Sequence, residues 1–283
     1  MTYTAFDYAV ADKVATVRLN QPERRNAMTL AFWQEIADVF AAIDADPGVR
    51  CAVLCSSGKH FTAGLDLMAF AGFAADAAKA ERGRNAERLR RTVLEMQESF
   101  NAIERCRVPV LAAIQGGCIG GGVDMVTACD VRYATQDAFF RVHEINIGMA
   151  ADVGTLQRLP KLIPAGAARE LAYTGRDLPA ARALELGLVT RLFVDQAAME
   201  AEVQAIAGEI AAKSPLAVAG SKEMLNHARD HSVAEGLSYI AAWQSGMLLS
   251  DDLGEALAAQ RDKRPAKFAD LLAPRRIVRR RDP

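Results

Sequence analysis

The sequence predicts an α/β protein, with a layered core of strands and helices followed by a mostly helical extension. Two observations carry this. A strand, a glycine-bearing loop and a helix start occur at Val49–Leu67 and again at Val108–Ala128, so a crude structural unit repeats. From Ala165 onward the chain reads as helix after helix, with few strand signals. At 283 residues it is long enough for one large domain, or for one domain with an appendage.

The elements follow in order. Val14–Leu19 alternates as a half-buried strand, and Asn20–Asn26 is a turn-rich loop. Thr29 is placed to cap a helix running to about Ile43, with Phe32, Ile36, Phe40 and Ile43 on one face. Val49–Ser56 reads as a buried strand, Gly58–Gly64 as a loop, and Leu65 as the start of a local helix. The stretch Ala71–Asn101 is helical from about Glu81, with Leu89, Val93, Met96 and Phe100 as its apolar stripe. Val108–Ile114 is a strand that leads through five glycines into a helix ending near Ala128. Val131–Ala134 and Phe139–Val142 are short strands, and Thr155–Leu162 is a helix. Beyond these come a short helix at Pro179–Leu186, a strand at Leu188–Phe193, and helices at Ala198–Lys213, Pro215–Arg229 and Val233–Leu249. The expected division is a core over residues 1–200 and a C-terminal helical region with a basic tail over residues 201–283.

Composition excludes several function classes. A net charge of −1 gives no global field for nucleic acid or an anionic membrane. The basic run Arg275–Arg281 reads as a solvated tail. No apolar run approaches the length of a membrane span. The five cysteines sit in or beside apolar runs and read as buried, reduced thiols. Cys51 and Cys55 find no second Cys/His pair, so no metal is expected. The N-terminus begins with strand-like sequence and shows no leader composition, and the last three residues are not a peroxisomal address, so a cytoplasmic protein is expected.

The segment Ile114–Asp130, IQGGCIGGGVDMVTACD, holds the strongest chemical signal. Its triple glycine, Gly120–Gly122, lets backbone approach a ligand and exposes amides at a helix start. Such a place stabilises negative charge. The carboxylate of Asp124 follows in the first turn, Glu144 comes twenty residues later and Asp152 eight after that. An anion hole beside acids and bases points to chemistry in which an oxyanion develops as protons move. Neither glycine loop has the residues of a nucleotide-phosphate cradle. Taken singly, Asp124 also reads as a helix-dipole partner, Glu144 as a strand-end surface residue and Asp152 as the N-cap of the Thr155 helix. His60 and His143 flank the segment but read as loop or strand residues rather than catalysts.

Three stretches carry a resemblance. They are Pro22–Met28 (PERRNAM), Phe61–Leu67 (FTAGLDL) and Gly116–Lys161. Together they resemble the enoyl-CoA hydratase/isomerase superfamily, the crotonases, and within it most nearly the Δ3,5-Δ2,4-dienoyl-CoA isomerases. The resemblance spans nearly the whole chain. It implies a spiral of repeated ββα units and a C-terminal helical region that builds trimers or dimers of trimers. It implies an acyl-CoA substrate, with CoA part of the substrate and no separate cofactor. The implied reaction is conversion of a 3,5-dienoyl-CoA to its 2,4-isomer in unsaturated fatty-acid oxidation. By the same resemblance the N–H groups of Leu65 and Gly121 form the oxyanion hole, and Ala63, Gly64, Leu65, Asp66 and Leu67 line the pantetheine arm. Arg24 or Arg25 is a candidate for the CoA phosphates. Glu144 and Asp152 are the implied proton-transfer pair, and Asp124 an auxiliary carboxylate.

The chemistry agrees with two acids. Moving both double bonds removes a proton beside the carbonyl and adds one at the far end of the diene, two carbons that one group does not reach. The two roles need different protonation states. The apolar approach Gly148–Ala151 leads us to expect desolvation to hold Asp152 neutral while Glu144 starts ionised.

A hydratase is the nearest rival. Hydratases of the superfamily usually carry glutamate where Asp124 stands, and Asp124 is shorter by about 1.5 Å, one C–C bond. They also usually carry a small residue at the position of Asp152, so both departures favour isomerisation. An RNA-binding homologue is a more distant reading, resting on the basic tail, which has no aromatic residue for stacking. A catalytically silent protomer fits poorly with three acids in register.

Overall fold

The computed structural model describes residues 3–68 and 81–275. A six-stranded sheet carries the core. Its strands are β1 (Phe6–Ala11), β2 (Val14–Leu19), β3 (Cys51–Ser56), β4 (Val110–Ile114), β6 (Val131–Thr135) and β9 (Arg191–Phe193), in that spatial order. Only β1 and β2 are antiparallel; the rest pair in parallel. Every residue of CAVLCS in β3 and of VLAAI in β4 is buried, as expected for parallel strands covered on both faces.

Alternation along β3 divides its side chains between two layers. Ala52 and Leu54 join the larger core with Phe32, Ile36 and Phe40 of α1 (Leu30–Ala45) and Phe100 of α2 (Arg82–Arg105). Cys51, Val53 and Cys55 face the other way, against Met199, Val203 and Ala207 of a later helix, Gln196–Ala211. That helix crosses residue 200 and packs on the sheet. The expected apolar stripe of α1 is buried throughout, and Thr29 caps the helix by accepting the Phe32 N–H. In α2 the Glu81 carboxylate caps the first turn. The stripe expected there is buried at Phe100, but Leu89 is exposed, because only the C-terminal half of this long helix reaches the core.

A smaller sheet stands above the glycine segment. It joins β5 (Gly117–Ile119), β7 (Phe139–Arg141) and β8 (Leu178–Pro179). The sequence reads β5 as part of a glycine turn, since glycine disfavours strands. The pairing partners that make it a strand are distant, namely β7 and an isolated bridge from Cys118 to Thr62. Thus the two repeated units interlock: the Phe61 N–H donates to Gln115 O, Thr62 N–H to Gly117 O, and Ile119 N–H to Thr62 O. The remaining helices are α3 (Gly121–Thr127), α4 (Thr155–Leu162), α5 (Ala165–Thr174), α6 (Ala180–Glu185), α7 (Gln196–Ala211), α8 (Pro215–Asp230), α9 (Val233–Met247) and α10 (Asp251–Arg261).

Three local expectations need correction. Leu65 does not start a helix; it pairs with Met28 in an isolated parallel bridge, and helical geometry begins at Leu67. Asp152 is not the cap of α4, which begins after Gly154, a glycine at φ 139°. Helix α10 lies beyond the last helix read from the sequence. All five cysteines are free and buried, and burial raises each thiol pKa, which keeps them unreactive. Packing around Phe70, Phe73 and the Ala71–Arg90 segment is expected to set acyl-chain length; Phe70, Phe73 and the rest of residues 71–80, like the tail from residue 276, lie outside the described residues.

Candidate active site

The site forms where the two repeated loops meet. Asn26 is buried and ties the first loop down, its Nδ2 donating to Ser57 O and His60 O. Arg25 and Asn26 both take left-handed backbone, which turns the chain so that Arg25 O accepts the Ala63 N–H. Met28 then clamps the next residues from both sides: its N–H donates to Gly64 O at 2.8 Å and its carbonyl accepts the Asp66 N–H at 3.2 Å. Gly64, at φ 81°, lies against the second loop; a Cβ there would stand 2.6 Å from Ile119 O. His60, unexpectedly, joins the loops, its Nδ1 accepting the Gly117 N–H at 3.0 Å.

Most amides around the turn are taken up, and two that are not belong to residues bordering one cleft. Gly64 N–H goes to Thr62 Oγ1, Gly120 N–H to Arg141 O and Val123 N–H to Gly120 O. The N–H groups of Leu65 and Gly121 have no partner among the described residues. Both residues line one cleft of about 150 Å³ together with Ala63, Leu67, Gly120, Glu144 and Asp152. Two unpartnered donors on residues that line one cleft are the kind of groups an oxyanion site needs.

Other expected contacts fall elsewhere. Gly64 and Asp66 do not line the cleft. Gly64 provides the close approach to Ile119 described above, and the Asp66 carboxylate pairs with Arg24 at 2.5 Å. Asp124 is completely buried behind the cleft wall, its Oδ1 accepting the Thr155 N–H at 2.5 Å and thereby capping α4 from α3. The structure thus brings Glu144 and Asp152 to the cleft surface and keeps Asp124 beneath them.

The electrostatics depart from expectation. Asp124 is pushed up to about 7, by burial first and then by the charge of Glu144. Glu144 is raised by burial and by Asp152, and Asp152 is raised by burial. Yet Asp152 is exposed in the free protomer whereas Glu144 is only partly so. The expected order of desolvation between the pair is therefore reversed. The reason is that Gly148–Ala150 are themselves exposed and do not wrap the carboxylate.

Several lining residues escaped the sequence. Trp33 of α1 and Met96 of α2 wall the cleft together with Ile147, Met149 and Val153. Trp33 and Met96 sit on amphipathic helices, where such residues read as ordinary core. Gln97 was also missed; its side-chain amide donates to Asp152 O at 2.7 Å and holds the acid's loop to α2. No group of metal-binding side chains occurs among the described residues.

Comparison with known proteins gives concordant results. The family described as enoyl-CoA hydratase/isomerase matches residues 10–271. A human protein named Delta(3,5)-Delta(2,4)-dienoyl-CoA isomerase, mitochondrial, is 48% identical over 90% of this chain and 78% of its own. An Arabidopsis thaliana protein with the same enzyme name, described as peroxisomal, is 45% identical over 89% of this chain and 91% of its own. Among solved structures, an enoyl-CoA hydratase from Bacillus anthracis superposes with a TM-score of 0.85 at 29% identity, covering 94% of this chain and 99% of its own. The organellar names of the relatives overturn the cytoplasmic location expected from the sequence. That expectation rested on the make-up of the chain's two ends, which does not fix a compartment.

Proposed function

Because the chain belongs to the enoyl-CoA hydratase/isomerase family, we propose that it converts 3,5-dienoyl-CoA thioesters to 2,4-dienoyl-CoA thioesters. The observation that carries this reading is the cleft itself: two carboxyl groups, Glu144 and Asp152, share it with the unpartnered amides of Leu65 and Gly121. The thioester oxygen accepts from those two amides. Glu144 lies beside them, since its Oε1 would stand 3.2 Å from a Cβ on Gly120. It is therefore placed at C2, next to the carbonyl, and takes the C2 proton.

The electron pair left at C2 spreads over the thioester oxygen and the diene, and each well-placed amide stabilises that charge by roughly 2.7–4 kcal/mol in the transition state. Asp152 gives a proton to C6, the double bonds settle at C2 and C4, and both carboxyls regain their starting states by exchange with water. The bound acyl chain covers Asp152, so substrate supplies the desolvation that the free protomer lacks and favours the proton-donating form. The proton balance closes without a separate cofactor.

The test uses pure protein and a 3,5-dienoyl-CoA, followed by the absorbance of the conjugated 2,4-dienoyl product. Rapid conversion is expected. Fast hydration of a 2-enoyl-CoA with no diene isomerisation would replace this reading by a hydratase.

A homotrimer, alone or paired into a hexamer, is the proposed assembly. Its support is the apolar surface on α8 and α9, where Leu225, Leu237 and the following Leu249 stand exposed. Sedimentation should give three or six copies of the 30.5 kDa chain, and Leu237→Glu should lower that number. A monomeric wild-type protein would refute the assembly.

A further inference from the structure

We propose that Asp124 works in its neutral form, as a hydrogen-bond donor that lets Glu144 ionise, and exchanges no proton with the substrate. The inference rests on the isomerase reading and adds to it a division of labour among the three acids. Asp124 is completely buried. One of its oxygens, Oδ1, is occupied by the Thr155 N–H, and the other, Oδ2, has no hydrogen-bond partner among the described residues. Glu144 Oε2 is also a buried atom without a hydrogen-bond partner among the described residues. A buried carboxylate with a free lone-pair oxygen is costly, whereas a buried carboxylic acid gives that oxygen a proton to donate.

The charges around Asp124 point the same way. From β5 it meets the Cys118 thiol, and from the cleft the carboxyls of Glu144 and Asp152. The cation that reaches toward it is Arg158 of α4, whose guanidinium is already engaged by Glu104 and Asn101 of α2. A charge on Glu144 disfavours one on Asp124, and of two neighbouring acids the one farther from water keeps its proton. Asp124 has no exposure and Glu144 is partly exposed, so the proton belongs to Asp124. Burial and the neighbouring Glu144 charge hold its pKa at about 7. Glu144 is then free to be the base. Asp124 is walled off from the cleft, so it acts on the reaction through Glu144 and is a positioning residue.

Asparagine reproduces a neutral carboxyl: one acceptor oxygen for the Thr155 N–H and one donor where Oδ2 stands. Asp124→Asn should lower kcat by about tenfold or less, while Asp124→Ala, which has no donor, should lower it by a hundredfold or more. A group that transfers a proton itself would lose about 10²–10⁴-fold on amidation. A readout on the wild-type enzyme keeps the test independent of variant folding. Carbon-13 NMR of aspartate-labelled protein below neutral pH should show one buried carboxyl in its protonated form, titrating near pH 7. Loss of kcat in Asp124→Asn as deep as in Glu144→Gln, or a spectrum with every aspartate ionised at pH 6, overturns the proposal. Absence of diene isomerisation by the wild-type enzyme would instead overturn the isomerase reading on which it rests.

Discussion

Glu144→Gln and Asp152→Asn should each lower kcat for a 3,5-dienoyl-CoA by about 10²–10⁴-fold, with a much smaller change in KM. Both substitutions keep shape and polarity and remove only the capacity to exchange a proton. In the proposed reading the thioester binds at the Leu65 and Gly121 amides, which no side-chain change deletes. The double variant should be hardly slower than the worse single one, because the two acids act on one reaction and their losses do not add. The pair should also differ in a way that identifies each role. With Glu144 at C2, Asp152→Asn should still exchange the C2 protons of substrate for deuterium in heavy water, since only the return of a proton to C6 is lost. Glu144→Gln should not. The reverse pattern would exchange the two assignments and place the base at Asp152. Equal activity of either variant with wild type would remove that residue from the mechanism.

Lys222→Met should destabilise the fold by about 3 kcal/mol, at the lower end of the range for breaking a buried pair. The Lys222 side chain, on α8, is 5% exposed and Asp130 is 23% exposed. Its Nζ donates to Asp130 Oδ2 at 2.8 Å and to Val108 O at 3.0 Å, and the same Oδ2 accepts the Val110 N–H at the start of β4. Methionine fills the space but removes the ammonium from the Asp130 carboxylate and from the Val108 and Ile103 carbonyls. Because this contact fixes a C-terminal helix to the strand that leads into the glycine turn, the variant should lose stability before it loses kcat. Urea unfolding measures the change, and a loss below about 1 kcal/mol would show the ammonium to be dispensable.

The Asp124 proposal and the Lys222 prediction share a physical basis. Both concern ionisable groups withdrawn from water. The Lys222 nitrogen is met by three oxygens, Ile103 O being the third. Asp124 is met by Thr155 and by two acidic neighbours, and burial with those charges pushes its pKa up to about 7.

Much of this protein is legible in the amino-acid order alone. Periodicity places α1, with its buried face Phe32, Ile36, Phe40 and Ile43, because helix amphipathicity repeats within a few residues. The unbroken apolar runs of β3 and β4 announce strands covered on both sides. The stretches Pro22–Met28, Phe61–Leu67 and Gly116–Lys161 carry the resemblance to the family, and the three glycines before Asp124 mark the candidate chemical centre. Other features depend on contacts between residues far apart in sequence, which periodicity does not encode. Strand β5 exists because Phe139–Arg141 and Thr62 supply its hydrogen bonds. Trp33 and Met96 belong to the cleft because α1 and α2 happen to wall it. The depth of each acid was likewise decided by packing. Asp124 is sealed beneath Thr155 while Asp152 stands open, although an apolar run precedes the latter. Residue type supplies a carboxyl; burial, which only the tertiary structure sets, decides whether it holds its proton.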